Sequence, residues 1–421
     1  MRLGLNTATC FKWRIYQPLL FLLMQRRIWN VRRNKAVVGA KHPKNTRGLT
    51  MKYNSLAVVL PAILLSSTSY AVELYNKDGN TIDFYGYVMG DYHFSKKNDI
   101  STHGDQSNSR FGIKGTTEIN PELKGFGHFE YNQPINNNEN SFWGEEGEVR
   151  LGYAGLTHDT YGTIQYGHNW SVMYDVTQYA DMLPEFGEDT LGYFSEVSGS
   201  TVIDPDSMFG SGRGNGMLQY RYSYAGFDMG LQYLASSTGV QGEGAGASLQ
   251  YTFDSVGITL GGAYNAGSKD MQAIRNLGAP LAPDFNESRA HMWALGAKYD
   301  LNNIYLSAVY AETDNQQPYV DINNNNNFAD KTQAYFLTAQ YTFDMGLTPG
   351  IAYAQGKAKS LNGYGDQDYS KYVDLSLNYA INNHFTTYVD YKINLLDNNE
   401  YTRQNSVLTD DVVAVAFQYN F

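Results

Sequence analysis

The chain has 421 residues and a formal net charge of −11, and its charge is divided unevenly. Residues 1–71 hold 12 basic and no acidic residues, so the remainder carries 19 basic and 42 acidic residues, a net charge of −23. An acidic body of this kind argues against nucleic-acid binding, because phosphate contacts need clustered Lys and Arg. The single Cys, Cys10, lies in the basic leader, which excludes a disulfide in the remainder.

The leader contains the pattern of a secretory signal peptide. Met51 and Lys52 begin a second N-terminus, residues 56–65 are apolar, and Ser69 and Ala71 are the small residues of a cleavage site. We therefore predict a signal peptide over 51–71, cleaved near Ala71. Residues 1–50 do not fit this pattern, and we interpret them as an upstream extension from a mis-assigned start.

Residues 72–421 alternate apolar and polar side chains in short segments. In the last segment, Val413, Val415, Phe417 and Tyr419 share one face, because successive side chains of a strand point to opposite sides. The pattern predicts about sixteen strands of roughly ten residues, the length that spans a membrane when tilted. The predicted strands are 81–94, 108–120, 124–132, 148–158, 162–169, 216–224, 227–235, 245–253, 256–265, 291–300, 303–313, 332–343, 347–358, 371–382, 385–395 and 411–421.

Short and long connections alternate between these strands, as in an outer-membrane barrel. The competing interpretation is a soluble β-sandwich or propeller, but no blade-length repeat is visible. In lipid the sheet must close, and about sixteen strands leave an aqueous lumen. We predict an all-β, antiparallel transmembrane β-barrel over residues 72–421.

Alternation assigns several charged residues to the lumen. Arg110, Lys114, Arg150, His128 and Glu130 all fall on the face opposite the apolar one. An Arg on the lipid face near the midplane would cost about 2–4 kcal/mol, so an inward position is required. The simplest interpretation of each residue alone is a solvated lumen side chain.

An acidic stretch interrupts the strands after residue 169. Residues 174–189 contain five acids and no Lys or Arg: Asp175, Asp181, Glu185, Glu188 and Asp189. Polar backbone at membrane depth is tolerated where it lines a water-filled lumen. We predict that this loop folds inside the barrel.

Seven segments of the chain carry a family resemblance: 73–80, 110–115, 181–187, 213–216, 302–306, 387–391 and the terminal Phe421. Together they resemble the Gram-negative general (non-specific diffusion) porins of enteric type, close to the osmoporin branch. The resemblance spans nearly all of 72–421, and it implies homotrimers of sixteen-stranded barrels with the third long loop folded into each pore.

The resemblance also implies a pore constriction in which acids on the loop oppose basic residues on the wall. Such facing charges create a transverse field that orients polar solutes and biases ions. Asp181 and Glu185 match the loop acids. The wall residues are matched by Arg110, Arg150, Arg213 and the inward acid Glu130.

Three departures from the family pattern change the charge of the pore. Tyr87 stands where many relatives have an inward Lys, and Glu188 stands where Gly is usual. The segment 191–209 is longer than usual and adds acids. Because each change removes positive or adds negative charge, we expect a stronger preference for cations than in a typical relative.

The resemblance further implies a contact that joins neighbouring barrels. Glu139 matches a loop Glu of the relatives, and His168 occupies the position of its Arg partner. Because histidine titrates near neutral pH, such a latch would weaken as pH rises. The alternative is that these are two unrelated polar residues.

No catalytic or metal-binding arrangement stands out in the sequence. The histidines after residue 40 are scattered, and no serine or aspartate pair sits beside one in a known pattern. We expect no enzyme, no cofactor and no metal site specified by spacing. Two other functions stay open: a substrate-selective channel, for example for sugars, and an adhesin or phage receptor using loops such as 321–330.

The expected location is the outer membrane of a Gram-negative cell. The expected partners are outer-membrane lipid, lipopolysaccharide, and small hydrophilic solutes and ions that diffuse passively through the pore.

Overall fold

The computed structural model describes residues 71–96, 103–136, 147–187, 208–235, 241–276, 278, 280–283 and 288–421. The extension 1–50 and the predicted signal peptide, apart from Ala71, lie outside these residues. Among the described residues, no helix is both long enough and apolar enough to cross a membrane.

The described residues form twenty strands and a few short helical segments. The strands are β1 (Val72–Lys77), β2 (Asn80–Ser95), β3 (Gly104–Asp105), β4 (Asn108–Asn120), β5 (Leu123–Pro134), β6 (Glu148–His158), β7 (Gly162–Trp170), β8 (Arg213–Tyr224), β9 (Phe227–Leu234), β10 (Gln241–Phe253), β11 (Ile258–Lys269), β12 (Arg289–Leu301), β13 (Ile304–Asp314), β14 (Pro318–Val320), β15 (Asn326–Phe328), β16 (Lys331–Tyr341), β17 (Leu347–Leu361), β18 (Gly365–Ala380), β19 (Phe385–Asn394) and β20 (Val412–Asn420). The helices are α1 (Tyr174–Thr177), α2 (Met271–Asn276) and α3 (Glu400–Gln404), with 3₁₀ turns at Met208–Gly210 and Asp254–Val256.

Sixteen of these strands form the wall of a closed antiparallel barrel, namely β2, β4 to β13 and β16 to β20. Each pairs with the next along the chain, and β20 pairs with β2 to close the ring. The predicted sixteen-stranded barrel is therefore confirmed. Closure leaves no unpaired strand edge, as hydrocarbon surroundings demand.

The C-terminal residue completes the seam of the barrel. The Phe421 backbone exchanges two hydrogen bonds with Gly86 at 2.9 and 3.0 Å, and its ring stacks on Phe84 at 5.3 Å. Strand β1 then continues along the other half of β2, beginning with Val72 opposite Phe84. Phe421 thus lies where the barrel closes, at the point where β20 and β1 share one edge of β2.

The two faces of the wall differ as the alternation predicts. On β20, Phe417 and Tyr419 are 58% and 51% exposed, whereas Ala414 and Ala416 are fully buried. Large apolar side chains recur outward on the other strands, for example Leu337 on β16. This outer face suits lipid hydrocarbon, and the inner face is left for polar and small residues.

One connection is shorter than predicted. Strands β17 and β18 extend to Leu361 and from Gly365, so that only three residues join them instead of a long loop. Gly363 and Gly365 both adopt positive φ, which lets the chain reverse tightly. The two strands of this hairpin are therefore longer than a membrane span requires.

The long loops at one end of the barrel form a small core of their own. The β14–β15 hairpin and α3 meet there around Tyr319, Leu361, Tyr369 and Tyr401. The Asp321 side chain accepts hydrogen bonds from the backbone N–H groups of Asn323 and Asn325 and so orders the asparagine run.

Candidate pore constriction

Residues 171–187, which we call the inner loop, follow β7 into the barrel. Val172, Met173, Val176 and Ala180 on this loop are completely buried. Met173, Val176 and Ala180 pack against a core of inward-facing wall residues that includes Met292, Ala294, Val309, Ala311, Ala334, Phe336, Ala352 and Ala354. Small wall residues leave the space that the loop occupies, so the wall and the loop are matched in shape.

Two paired glycines mark the closest approach of the loop to the wall. Gly261 on β11 lies opposite Gly296 on β12. A Cβ on Gly296 would lie 2.7 Å from the Tyr179 ring and 2.9 Å from Val176, both inside van der Waals contact. The wall needs glycine here because any side chain would occupy the place of the loop.

Wall side chains also bind the backbone of the inner loop. The Tyr305 hydroxyl donates to the Tyr179 carbonyl at 2.9 Å, and Gln340 Nε2 donates to the Met182 carbonyl at 2.7 Å. Tyr372 donates in the same way to the Phe186 carbonyl. These bonds satisfy loop carbonyls at membrane depth, where an unpaired polar group is costly.

A buried ion pair fixes the start of the inner loop. Arg221 Nη1 on β8 donates to both Asp175 carboxylate oxygens at 2.8 and 3.0 Å, and Ser248 Oγ donates to Oδ2 at 2.5 Å. This pair was not predicted from the sequence. Arg221 shares the inward face of β8 with Gln219, so alternation alone could have placed it in the lumen.

The opposite wall carries a basic cluster on β4, β5 and β6. Arg150 Nε lies 3.0 Å and Arg110 Nε 3.9 Å from Glu130 Oε1, and the Tyr85 hydroxyl donates to Glu130 Oε2 at 2.8 Å. The Arg110 guanidinium lies over the Tyr87 ring, 5.2 Å from its centroid. The structure thus brings together four of the predicted wall residues and adds Tyr85.

Asp181 lies on the inner loop within the electrostatic influence of that cluster. The Tyr174 hydroxyl donates to its carboxylate at 2.6 Å. Burial raises the pKa of Asp181, whereas the bond from Tyr174 and the charges of Arg150 and Arg110 act in the opposite direction. The net direction is upward, so Asp181 takes up a proton at a higher pH than an ordinary aspartate.

Glu185, the second predicted loop acid, contacts residues of β2 and β19. Its Oε2 accepts from the Tyr388 hydroxyl at 2.6 Å, and its Oε1 lies 3.2 Å from His93 Nε2. Its backbone N–H donates to the Asp390 carboxylate at 3.0 Å. These contacts join Glu185 to β2 and β19, while its opposition to wall arginines stays a prediction.

Comparison with known proteins agrees with this architecture. The family model for Gram-negative porins matches residues 77–421. Outer membrane protein F of Serratia marcescens is 42% identical over 399 residues, covering 88% of this chain and 100% of that protein. Outer membrane porin F of Escherichia coli K12 is 40% identical over 386 residues, with the same two coverages.

A solved structure agrees as well. Salmonella typhi OmpF in complex with daunomycin has a TM-score of 0.72 and 36% identity, covering 83% of this chain and 100% of that one. The chain belongs to the Gram-negative porin family. It is an outer-membrane porin.

Of the remaining predicted site residues of the porin, Arg213 lies within the described residues and Glu188 does not. Arg213 is buried on β8, where its guanidinium lies 5.2 Å from the Trp170 ring centroid and 4.0 Å from Glu148. Glu188 and most of the segment 191–209 lie outside the described residues. Arg213 thus borders the start of the inner loop, because Trp170 stacks on Tyr174 at 4.0 Å.

Of the two residues in the predicted contact between barrels, one lies within the described residues. His168 lies on β7, and its Nδ1 is 2.6 Å from Asn215 Oδ1 on the neighbouring strand. Glu139 lies outside the described residues. The latch therefore stays a prediction.

Proposed function

We propose that this porin is a cation-preferring channel for passive diffusion of small hydrophilic solutes and ions, with its constriction between the inner loop and the basic cluster. The observation that carries the proposal is the position of Asp181, on a loop packed inside the lumen and under the influence of Arg110 and Arg150. Charges facing each other across a narrow water-filled passage create a transverse field.

The balance of lumen charge supports the preference for cations. Asp91 and Asp390 are buried on the inward faces of β2 and β19, close to Glu185. Tyr87 contributes an uncharged ring to the cluster, at a position where the family resemblance implies a lysine in many relatives. Acids in the lumen and one base fewer at the cluster favour a negative potential, which concentrates cations.

Restoring the missing charge tests this proposal. Tyr87→Lys adds one positive charge at the constriction, so the cation-to-anion permeability ratio should fall about fivefold, as expected for an interaction of about 1 kcal/mol. Tyr87→Phe is the matched control and should leave the ratio near the wild-type value. The ratio is measured from reversal potentials across a salt gradient in planar bilayers, and an anion-preferring wild type would contradict the proposal.

Liposome swelling separates the two other candidate functions. A general diffusion channel admits sugars at rates that fall smoothly with size. One favoured sugar would indicate a substrate-selective channel, and no swelling would indicate a receptor or adhesin. We propose the smooth dependence, and no catalytic activity, because the relatives are named porins.

We also propose that the mature protein, cleaved near Ala71, assembles as a homotrimer in a membrane of lipid and lipopolysaccharide. The apolar outer face of the barrel supports the lipid contact. A latch between Glu139 and His168 would make trimers less resistant to heating at pH 8 than at pH 5.5. His168→Arg should abolish this difference on gels, and an unchanged wild type would count against the latch.

A further inference from the structure

Three side chains from two separate elements converge on one point beside the inner loop. Asp91 and His93 occupy successive inward positions of β2, and Glu185 reaches them from the loop. His93 Nε2 lies 3.1 Å from Asp91 Oδ2 and 3.2 Å from Glu185 Oε1. One ligand atom from each of the three lies within 4.8 Å of those of the other two.

His93 makes ion-pair contacts with both carboxylates, yet these contacts lack the geometry of hydrogen bonds. Asp91 and His93 are 4% and 6% exposed, yet both carboxylate oxygens and both ring nitrogens make no hydrogen bond within the described residues. The atoms have the separation of hydrogen-bonded groups without the required direction. Buried polar atoms in this state are uncommon, and they need another partner.

We propose that Asp91, His93 and Glu185 bind a divalent transition-metal ion of the zinc type. One imidazole nitrogen with two carboxylate oxygens is a donor set suited to Zn²⁺. Around a tetrahedral zinc with bonds of about 2.0–2.1 Å, neighbouring ligand atoms lie about 3.3 Å apart. The two separations from His93 Nε2 are close to that value.

The surroundings favour a cation at this point. Tyr388 holds the second Glu185 oxygen at 2.6 Å, which orients the carboxylate as outer partners of metal ligands do. Asp390 is fully buried next to the Glu185 backbone, and it adds negative charge. The Glu185 side chain is 20% exposed, which leaves the lumen as a route for the ion and for water in the remaining coordination position.

Bound metal would join the inner loop to the wall. Glu185 belongs to the loop, whereas Asp91 and His93 belong to β2, so one ion would tie both elements together. It would also place positive charge beside the constriction. Metal should therefore restrict the loop and reduce the preference of the channel for cations, a regulation that goes beyond diffusion itself.

Equilibrium dialysis of the detergent-solubilised protein against Zn²⁺ tests the site directly. We expect one tightly held Zn²⁺ per chain in the wild type. Binding should weaken at least about tenfold in Asp91→Asn and His93→Gln, whereas the control His291→Gln on β12 should bind like the wild type. Equal binding by wild type and His93→Gln would overturn the proposal, and so would the absence of a tight site in the wild type.

A second measurement needs only the wild-type protein, in case a variant does not fold. Crystals soaked in Zn²⁺ should give an anomalous peak within bonding distance of Asp91, His93 and Glu185, and Mg²⁺ at equal concentration should not displace it. A peak elsewhere only, or none, would overturn the site. Both measurements are independent of ion selectivity, so this proposal and the proposed cation preference succeed or fail separately.

A test of channel function follows from the positive charge that bound metal would add. Low concentrations of Zn²⁺ should lower single-channel conductance and the cation-to-anion permeability ratio of the wild type, and a chelator should restore both. The same Zn²⁺ should not change His93→Gln. An identical response of wild type and variant would contradict regulation through this site.

Discussion

The inner loop of this porin meets two regions of the lumen wall that hold it in different ways. The region formed by β11 to β17 is lined by small and apolar side chains, and it packs directly against Val176 and Tyr179. The region formed by β4 to β6 presents Arg110, Arg150 and Glu130. The first region positions the loop, and the second sets the field that the loop faces.

The difference matters because the two regions contribute unequal free energies to holding the loop. Burying a large apolar side chain contributes about 1.5–3 kcal/mol, and Val176, Tyr179 and Leu183 are all buried on the packing side. Charges across water contribute less and are screened by salt. We infer that the packing side can hold the loop while residues of the charged side are exchanged to tune selectivity.

The largest effect should come from the ion pair at the start of the loop. Arg221→Leu leaves the Asp175 carboxylate buried with Ser248 alone, and breaking a buried pair costs about 3–5 kcal/mol. Opening of the loop should become easier by a similar amount. Faster hydrogen exchange of the α1 amides and noisier single-channel currents would show this change.

Two further variants sharpen that test. Adding Asp175→Asn to Arg221→Leu removes the unpaired charge, so the double variant should recover part of the lost protection. Arg403→Leu, at an exposed position of α3, should have no effect on the loop. Full protection of α1 in Arg221→Leu would show that packing alone fixes the start of the loop.

An intermediate effect should follow from filling the space under the loop. In Gly296→Ala the new Cβ would lie 2.7 Å from the buried Tyr179 ring, and such overpacking costs about 1–3 kcal/mol. The loop should move into the lumen and lower single-channel conductance. Gly90→Ala is the matched control, because a Cβ on this β2 glycine has no neighbour within 4 Å. Equal conductance in both variants would mean that the wall, and not the loop, moves to make room for the new methyl group.

The wall could be predicted from the sequence because lipid imposes a period of two on every strand. Lipid outside and water inside decide the face of Arg110, Arg150 and Glu130 without any knowledge of contacts. Strand ends at β4 and β6 were predicted to the residue. The β17–β18 hairpin was not, since strands that extend past the membrane follow turn geometry.

The inner loop could not be predicted in the same detail, because its path depends on packing against many strands. The acids of the loop look alike in sequence, yet Asp175 binds Arg221, Asp181 binds Tyr174 and Glu185 binds Tyr388. Asp91 and His93 lie two residues apart on β2, so both point to its inward face. Their two-residue spacing on one face was the available sign of a shared ligand, but the third member, Glu185, came from the loop.

The smallest effect should appear on the charged side, at the bond between Tyr174 and Asp181. Burial already raises the pKa of Asp181, and Tyr174→Phe removes a hydrogen bond that lowers it. The pKa should therefore rise further, because the bond from Tyr174 favours the ionised carboxylate. As pH falls, the carboxylate is neutralised and cation preference declines, so the midpoint of that decline should move to higher pH. Reversal potentials measured from pH 8 to pH 4 test this shift, and Tyr353→Phe on β17, whose hydroxyl bonds Gln355 instead, is the control. An unchanged midpoint would mean that Asp181 does not set the selectivity. The packing side of the lumen would then do more than hold the loop in place.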